Sequence, residues 1–350
     1  MNILLDDRSC RDALYPFCQV RSAAHIRVGI LSIYEKWQWF FPGKVWIVSE
    51  SPGPPGNEPL VTVPASLVPS EAYLMAAREQ LPAGTVAAGC PLLEYPWQIT
   101  SANDRAIRED FRMITRDRVS GPVSPTNRVV QPEAVFIEPG ATVEFSILNA
   151  SAGPIYIGRD AQIEEGSLIR GPVSIGEGSR VKMGTRIYGA TTIGPFCLAG
   201  GEIKNSVMTA YSNKGHDGYL GDSVIGSWCN LGAGTSNSNL KNTAAPVRMW
   251  SRKDHAYVEA GVKCGLLMGD YSRSAINTSF NTGTVVGVCC NVFGDTFQKR
   301  TIGDFSWGDE RYRFDKAISD IRNWKQLKGM DITSGEIEAL QQVYQTLEIK

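Results

Sequence analysis

From Ile157 onward an aliphatic residue returns every six positions, at Ile157, Ile163, Ile169, Ile175, Val181, Ile187 and Ile193, with the small Ala199 next. Neither an α-helix, with a period of about 3.6, nor a strand, with a period of two, gives that spacing. Glycine often follows the aliphatic, as at Gly158, Gly176, Gly194 and Gly200. A period of six predicts one flat side of a triangular coil per hexad, with the aliphatic pointing into a prism and glycine easing the corner. Each coil can bury its aliphatics only against the coils above and below, so the pattern predicts a parallel β-helix. The lattice starts at Ile137 and Val143, slips by two residues around Asn149 to Pro154, and resumes after a break at Tyr219, Ile225 and Leu231. The stretch from Lys204 to Asn239 spans that break and reads as a loop leaving the prism. A weaker ladder through Val262, Met268, Ser274, Phe280, Val286 and Val292 carries the expected helix to about residue 295.

The flanks have other periods. Ile3 to Leu5, Val45 to Val48, Leu60 to Val63 and Thr85 to Ala87 read as short strands, and Ala23 to Trp39, Ser70 to Gln80 and Asn103 to Thr115 as helical stretches. Their alternation predicts a small α/β layer with a mostly parallel sheet. The Pro-, Ser- and Gly-rich run SGPVSPTNRVVQPE, residues 120 to 133, reads as a linker. Residues Asp331 to Leu347 place a capping Ser or Thr before apolar residues at three-and-four spacing, which predicts a terminal α-helix. The expected division is an α/β domain over 1–125, the β-helix over 126–300, and an extension with a helix over 301–350.

Composition narrows the function classes. The chain has 350 residues, 35 basic against 36 acidic, and a net charge of -1, so it carries no electrostatic footprint for nucleic acid or an anionic membrane. Met1 to Asp7 lacks the apolar core of a signal peptide, and no run approaches the roughly 18 apolar residues of a membrane span. The expected location is the cytoplasm. Eight cysteines without a C-x-x-C pair read as reduced, packed thiols. Three histidines, His25, His216 and His255, lack the spacing of a metal site. Apolar positions such as Val285, Val286 and Val288 suggest a prism face for self-association.

The chemistry-bearing residues cluster around one motif. Residues 215–222 read G-H-x-x-Y-L-G-D; I-G follows at 225–226, then N-L-G-A-G-T at 230–235, with Asn239 four residues on. This run resembles the acetyltransferase domain of the bifunctional glucosamine-1-phosphate acetyltransferase and N-acetylglucosamine-1-phosphate uridylyltransferase family. The resemblance implies a left-handed hexapeptide-repeat β-helix, His216 as catalytic base and Glu202 as the acid that tunes it. It implies Arg186 and Lys204 as phosphate holders, Tyr219, Asn230 and Asn239 as further substrate contacts, and the Ala233 backbone amide toward the acyl donor. The implied co-substrate is acetyl-coenzyme A or another acyl-coenzyme A, the acceptor a sugar phosphate or nucleotide sugar, and the assembly a homotrimer. The family's second substrate-binding lysine falls on Ala245 here. Chemically the set is coherent: histidine titrates near neutral pH and can take an ammonium proton, while a pre-aimed amide can stabilise a thioester oxyanion.

At the N-terminus, R-x-x-x-H-I-R-x-G-I-L from Arg21 to Leu31 and Pro96-Trp97 resemble a group of sugar nucleotidyltransferase-like proteins whose first domain is shortened. Where such domains have a glycine-rich phosphate loop after the first strand, this chain has Asp6, Asp7 and Arg8. The resemblance leaves Arg8, Arg21 and Arg27 as candidate nucleotide ligands, with magnesium needed only if this domain turns over. Nucleotidyl transfer and a non-catalytic sugar-nucleotide scaffold are the alternatives to acyl transfer.

Overall fold

The hexads build the predicted prism. The computed structural model describes residues 1–51, 53, 59–79, 90–294 and 297–348. From Arg128 the chain winds as a three-sided parallel β-helix. Its first face stacks six strands: Arg128–Val130, Ile147–Asn149, Leu168–Arg170, Arg186–Tyr188, Glu202–Lys204 and Tyr219–Gly221. The second face stacks nine strands and the third ten. Ile157, Ile163, Ile169, Ile175, Val181, Ile187, Ile193 and Ala199 are each exposed by 3% or less and share one continuous core. Ile137 and Val143 join it, as does Leu148 at the slip.

The segment from Lys204 to Asn239 does not leave the prism. Ile175 pairs with Ile193, eighteen residues on, but Ile193 pairs with Met208, only fifteen on. Coils shortened at their corners lose the six-residue rhythm while keeping the shape. Ile187, Ile203 and Leu220 are stacked in register, so Leu220, not the expected Tyr219, points inward. Two inward places on these coils hold polar residues, Lys214 beside Ala199 and Asn237 beside Phe280, which hides the pattern further. The true excursion follows Asn239 and ends at Cys264; it is an antiparallel hairpin of Val247–Ser251 with Ala256–Gly261. Val262, expected in the inward ladder, lies just beyond that hairpin and is 51% exposed. Met268, Ser274, Phe280, Val286 and Val292 are buried as expected. The β-helix also runs past 295, with Thr301–Ile302 on the second face and Ser306–Trp307 on the third.

The N-terminal layer is a parallel three-stranded sheet of β1 (Asn2–Asp6), β2 (Val45–Ile47) and β3 (Leu60–Pro64), with β1 central. Helices α1 (Ile33–Phe40), α2 (Glu71–Arg78) and α3 (Gln98–Thr115) accompany it. The helical stretch expected from Ala23 is only a 3-10 turn, Ala23–His25, before α1 starts at a capping box of Ser32 and Glu35. The strand expected at Thr85 to Ala87 and the helix end at Gln80 lie outside the described residues. Inside the layer, Lys36 and Asp110 form a buried ion pair. The other Asp110 oxygen accepts from the Ile30 and Leu31 N–H groups at 2.8 and 3.0 Å. Gly29, at φ +90°, passes so close that a Cβ there would stand 2.4 Å from Asp110 Oδ2.

This layer covers the second prism face. Val207, Val224, Leu267 and Val285, which point outward from that face, are buried in the same apolar cluster as Ile3, Leu5, Trp37 and Ile99. Val288, Trp228 and Phe305 are covered in turn by two C-terminal helices, the unanticipated α4 (Phe314–Gln326) and the expected α5 (Ser334–Glu348). The valines that suggested a surface for self-association are therefore consumed within the chain: Val285 and Val288 by these layers, Val286 by the prism interior. Buried polar tethers fix the docking. Tyr15 donates to Asp304 at 3.0 Å, Asp304 pairs with Arg252 at 3.3 Å, and Asn103 donates to the Ala190 carbonyl at 2.8 Å.

Candidate functional site

The first face and the edge it shares with the third bring most of the expected residues together. In a parallel ladder, residues in register stack on the same side, so Arg186, Glu202 and Tyr219 form one outward column. Tyr188, Lys204 and Gly221 form the next. Tyr188 donates its hydroxyl to Glu202 at 2.6 Å, which holds the tyrosine proton and raises its pKa, while Arg186 stands 3.6 Å from the second Glu202 oxygen. Lys204 lies with its ammonium 5.6 Å from the Tyr188 ring centre. Burial and the neighbouring Asp222 push Tyr219 up to about 12, so it stays a phenol at neutral pH and accepts from Asn239 at 3.2 Å. Asn239 also donates to Asp222, which in turn accepts from Asn205 at 2.6 Å.

His216 occupies the edge just before this face. The edge turns tightly because its corners stack backbone on backbone. A Cβ on Gly201, at φ +75°, would meet the His216 carbonyl at 2.9 Å, and one on Gly218, at φ +124°, would meet the Thr235 carbonyl at 2.1 Å. The His216 side chain is exposed, and among the described residues its imidazole has no hydrogen-bond partner. One coil above, the Gly232-Ala233-Gly234 corner sits directly over it, joined by the Gly234 N–H to the Asp217 carbonyl at 3.0 Å. Among the described residues no backbone carbonyl accepts from the Ala233 N–H.

Asn230 is not part of this group within one chain. It lies on the third face, stacked between Asn213 and Arg273. Below the Arg186 column the first face opens as a groove of about 400 Å³ lined by Ile147, Asn149, Leu168, Arg170, Arg186 and Tyr188. Two residues that position the site were not anticipated. Tyr188 had a signal, since a strand returns to the same side every two residues and Arg186 was already a candidate. Asp222 is the aspartate of the motif itself, and only the fold shows that it holds Asn239.

The three N-terminal arginines are not assembled into one site. Arg8 pairs with Asp6 at 2.6 Å and is 73% exposed. Arg27 is buried, bracing its own turn through the Ile30 carbonyl and pairing with Glu35 at 3.1 Å. Arg21 crosses to the prism, where it pairs with Asp270 at 2.8 Å and donates to Ser227 at 3.0 Å. It also lines a cavity of about 420 Å³ with His25, Glu50, Tyr211, Trp228 and Lys325. The end of β1 does not suit magnesium: Asp6 is taken by Arg8, and Asp7 has one oxygen bonded to Ser49 and the other buried and unbonded. Among the described residues no group of three or more His, Cys, Asp or Glu could hold a metal ion, and no helix is long and apolar enough to cross a membrane. All eight cysteines are free.

Residues 2–87 match the family model of sugar nucleotidyl transferases. The bifunctional protein GlmU of Methanocaldococcus jannaschii is 36% identical over 89 residues, covering 25% of this chain and 21% of that protein. A bifunctional sugar-1-phosphate nucleotidylyltransferase/acetyltransferase of Sulfurisphaera tokodaii is 31% identical over 102 residues, 29% of this chain and 25% of that one. The chain thus spans about a fifth to a quarter of the length of these relatives. A solved UDP-N-acetylglucosamine acyltransferase of Arabidopsis overlaps at 14% identity, 52% of this chain and 66% of that one, with a TM-score of 0.21; so small an overlap bears on neither fold nor activity.

Proposed function

We propose that this protein is an acyl-coenzyme A-dependent N-acyltransferase acting on an amino-sugar phosphate or nucleotide-linked amino sugar, with His216 as general base. The observation that carries the reading is the stacking on one prism edge: an exposed imidazole beside the Arg186–Glu202–Tyr219 column, with the Ala233 amide one coil above, both without a hydrogen-bond partner among the described residues. His216 takes a proton from the acceptor's ammonium, and the freed amine attacks the thioester carbonyl. The Ala233 N–H meets the oxyanion. The C–N bond forms and the C–S bond breaks; the imidazolium gives its proton to the departing thiolate, and the second proton of the attacking nitrogen is released to solvent as the amide forms. Arg186 and Lys204 hold the phosphate, the first as a fork and the second as a point charge. Asn230, on the far side of the edge, serves a site shared between copies, and a homotrimer with the donor in the groove between prisms is the assembly this reading favours. The reaction belongs in the cytoplasm, which suits eight free cysteines.

The match over residues 2–87 favours a second reading, that the N-terminal layer binds or transfers a nucleotide. The engagement of Asp6 by Arg8 and of Asp7 by Ser49 speaks against magnesium-dependent turnover there, so this reading is one of binding. Both are tested together by following thiol release from acetyl-coenzyme A, and pyrophosphate release from nucleoside triphosphates, over a panel of amino-sugar phosphates and nucleotide amino sugars. Acceptor-dependent thiol release that falls by about two to four orders of magnitude in His216→Ala is the expected result. Undiminished release in that variant refutes the base assignment, and pyrophosphate without thiol moves the activity to the N-terminal layer.

A further inference from the structure

The inward row of the third face runs through Ile163, Val181, Ala199, Lys214, Leu231, Ser274 and Val292. One of these is a lysine, and it is only 2% exposed. An ammonium in such a place is costly unless its protons are bonded. No carboxylate lies within ion-pair distance of Lys214 among the described residues. Its Nζ instead donates to two backbone carbonyls, His216 at 2.8 Å and Gly200 at 3.3 Å. Both carbonyls belong to the edge that presents His216, one on the same coil and one on the coil below. The small Ala199 beneath leaves the lysine room to curl back to its own corner.

We propose that Lys214 is a positioning residue for acyl transfer: from inside the prism it clamps the His216 peptide against the Gly200 corner and so fixes where the imidazole is presented. The inference rests on the His216 reading but concerns a residue behind the surface, which touches no substrate. Three features support it. The bond is made to the histidine's own carbonyl, so it acts on the peptide plane that sets the side chain's direction. On the coil below, Gly200 and Gly201 lie so close that an added Cβ would stand 2.7 Å from the Gly215 carbonyl carbon and 2.9 Å from the His216 carbonyl, so the two corners that the lysine joins already touch. A merely space-filling role would be met by the aliphatics found elsewhere in the row.

Lys214→Met keeps the length and removes the donor. Turnover is expected to fall about tenfold or more with KM for the acceptor unchanged, while the far-ultraviolet spectrum and melting profile stay those of a folded β-helix. The charge gives a second signature. Asp217, on the same corner, is the charged group whose field reaches the ammonium; His216 points to solvent, and the row's other members are uncharged. Burial brings the lysine down to about 8, so wild-type kcat should decline above that pH as the charge-assisted bonds weaken, and the decline should be absent in Lys214→Met. Equal kcat in the two proteins overturns the proposal, as does a decline that persists in the variant. If the wild type shows no His216-dependent turnover, the functional reading fails by itself. The clamp is then decided by hydrogen exchange at the Gly215–Gly218 amides, where faster exchange in Lys214→Met supports it and unchanged exchange refutes it. Should that variant not fold, Lys214→Leu, which also removes the donor and matches the aliphatics of the row, is read by the same measurements.

Discussion

Replacing Arg21 by methionine tests whether this arginine is a tether or a ligand. Its guanidinium crosses from the N-terminal layer to the prism, with Nε 2.8 Å from Asp270 Oδ2 and Nη1 3.0 Å from the Ser227 hydroxyl. Asp270 is 2% exposed, and its other oxygen accepts from the Ser227 N–H at 2.6 Å. Removing the arginine leaves a buried carboxylate with that single N–H, and breaking such a pair costs about 3–5 kcal/mol. An unfolding entropy of about 2.1 cal/mol/K per residue turns this into a fall in Tm of about 4–7 °C for a chain unfolding as one unit. Calorimetry measures it directly; if the N-terminal layer melts first, its own transition carries the shift. Burial already holds the Asp270 carboxyl above the usual range and Arg21 pulls it down, so the variant's carboxyl titrates higher still. As pH falls through that raised value the orphaned charge is neutralised. The deficit relative to wild type is therefore largest near neutrality and shrinks in acid. Adding Asp270→Asn to the variant should recover most of the loss. A deficit below about 1 kcal/mol, or no recovery with asparagine, refutes the account and returns Arg21 to the ligands of the adjoining cavity.

Other expectations follow from the same physics. Gly218→Ala forces a Cβ to within 2.1 Å of the Thr235 carbonyl at φ +124°; a loss of about 2–3 kcal/mol in urea unfolding is expected, together with loss of acyl transfer. A thiol reagent should find one fast group in the native chain, Cys90, because the other seven cysteines are buried, and all eight once the chain is unfolded. A second fast thiol in the native protein contradicts the packing. Lys214 predicts a pH effect on stability: its native pKa is about 8 against an unfolded value near 10.5. Below about 8 both states carry the proton and the burial cost is full; between the two values the unfolded chain holds the extra proton, so native stability rises with pH. Measured against the non-titrating Lys214→Met, that gain is on the order of 3 kcal/mol by pH 10.5, and a flat difference would contradict it.

The strict hexads were legible because an aliphatic side chain in a prism has nowhere else to go. The shortened coils were not. Between Ala199 and Leu231 the inward residues are Ile203, Met208, Lys214, Leu220 and Ile225, which keep no period of six and include a cation whose satisfaction depends on backbone carbonyls only the folded edge supplies. The same stretch carries the motif, so the segment richest in chemistry was the one whose path was misread as a loop. The family resemblance named Arg186, Glu202, Lys204, Tyr219 and Asn230 together without saying which face each occupies; the register puts the first four on one face and Asn230 on another. Among the N-terminal arginines the charge was visible and the partner was not, since Asp270 lies 249 residues from Arg21.

The covering of the second face has a kinetic consequence. Ile3 and Leu5 are buried with Val207, Val224, Leu267 and Val285, and Tyr15 bonds to Asp304 across 289 residues. During synthesis the first hundred residues leave the ribosome with their apolar side unpaired and must wait until the coils around residues 285–304 emerge. At about 5–20 residues per second that interval is on the order of ten seconds to a minute. The β-helix can meanwhile wind coil upon coil from Arg128, because each turn needs only the one before it. The N-terminal layer is therefore synthesised well before the coils that complete it, and a chain truncated short of those coils would leave it as exposed, aggregation-prone surface.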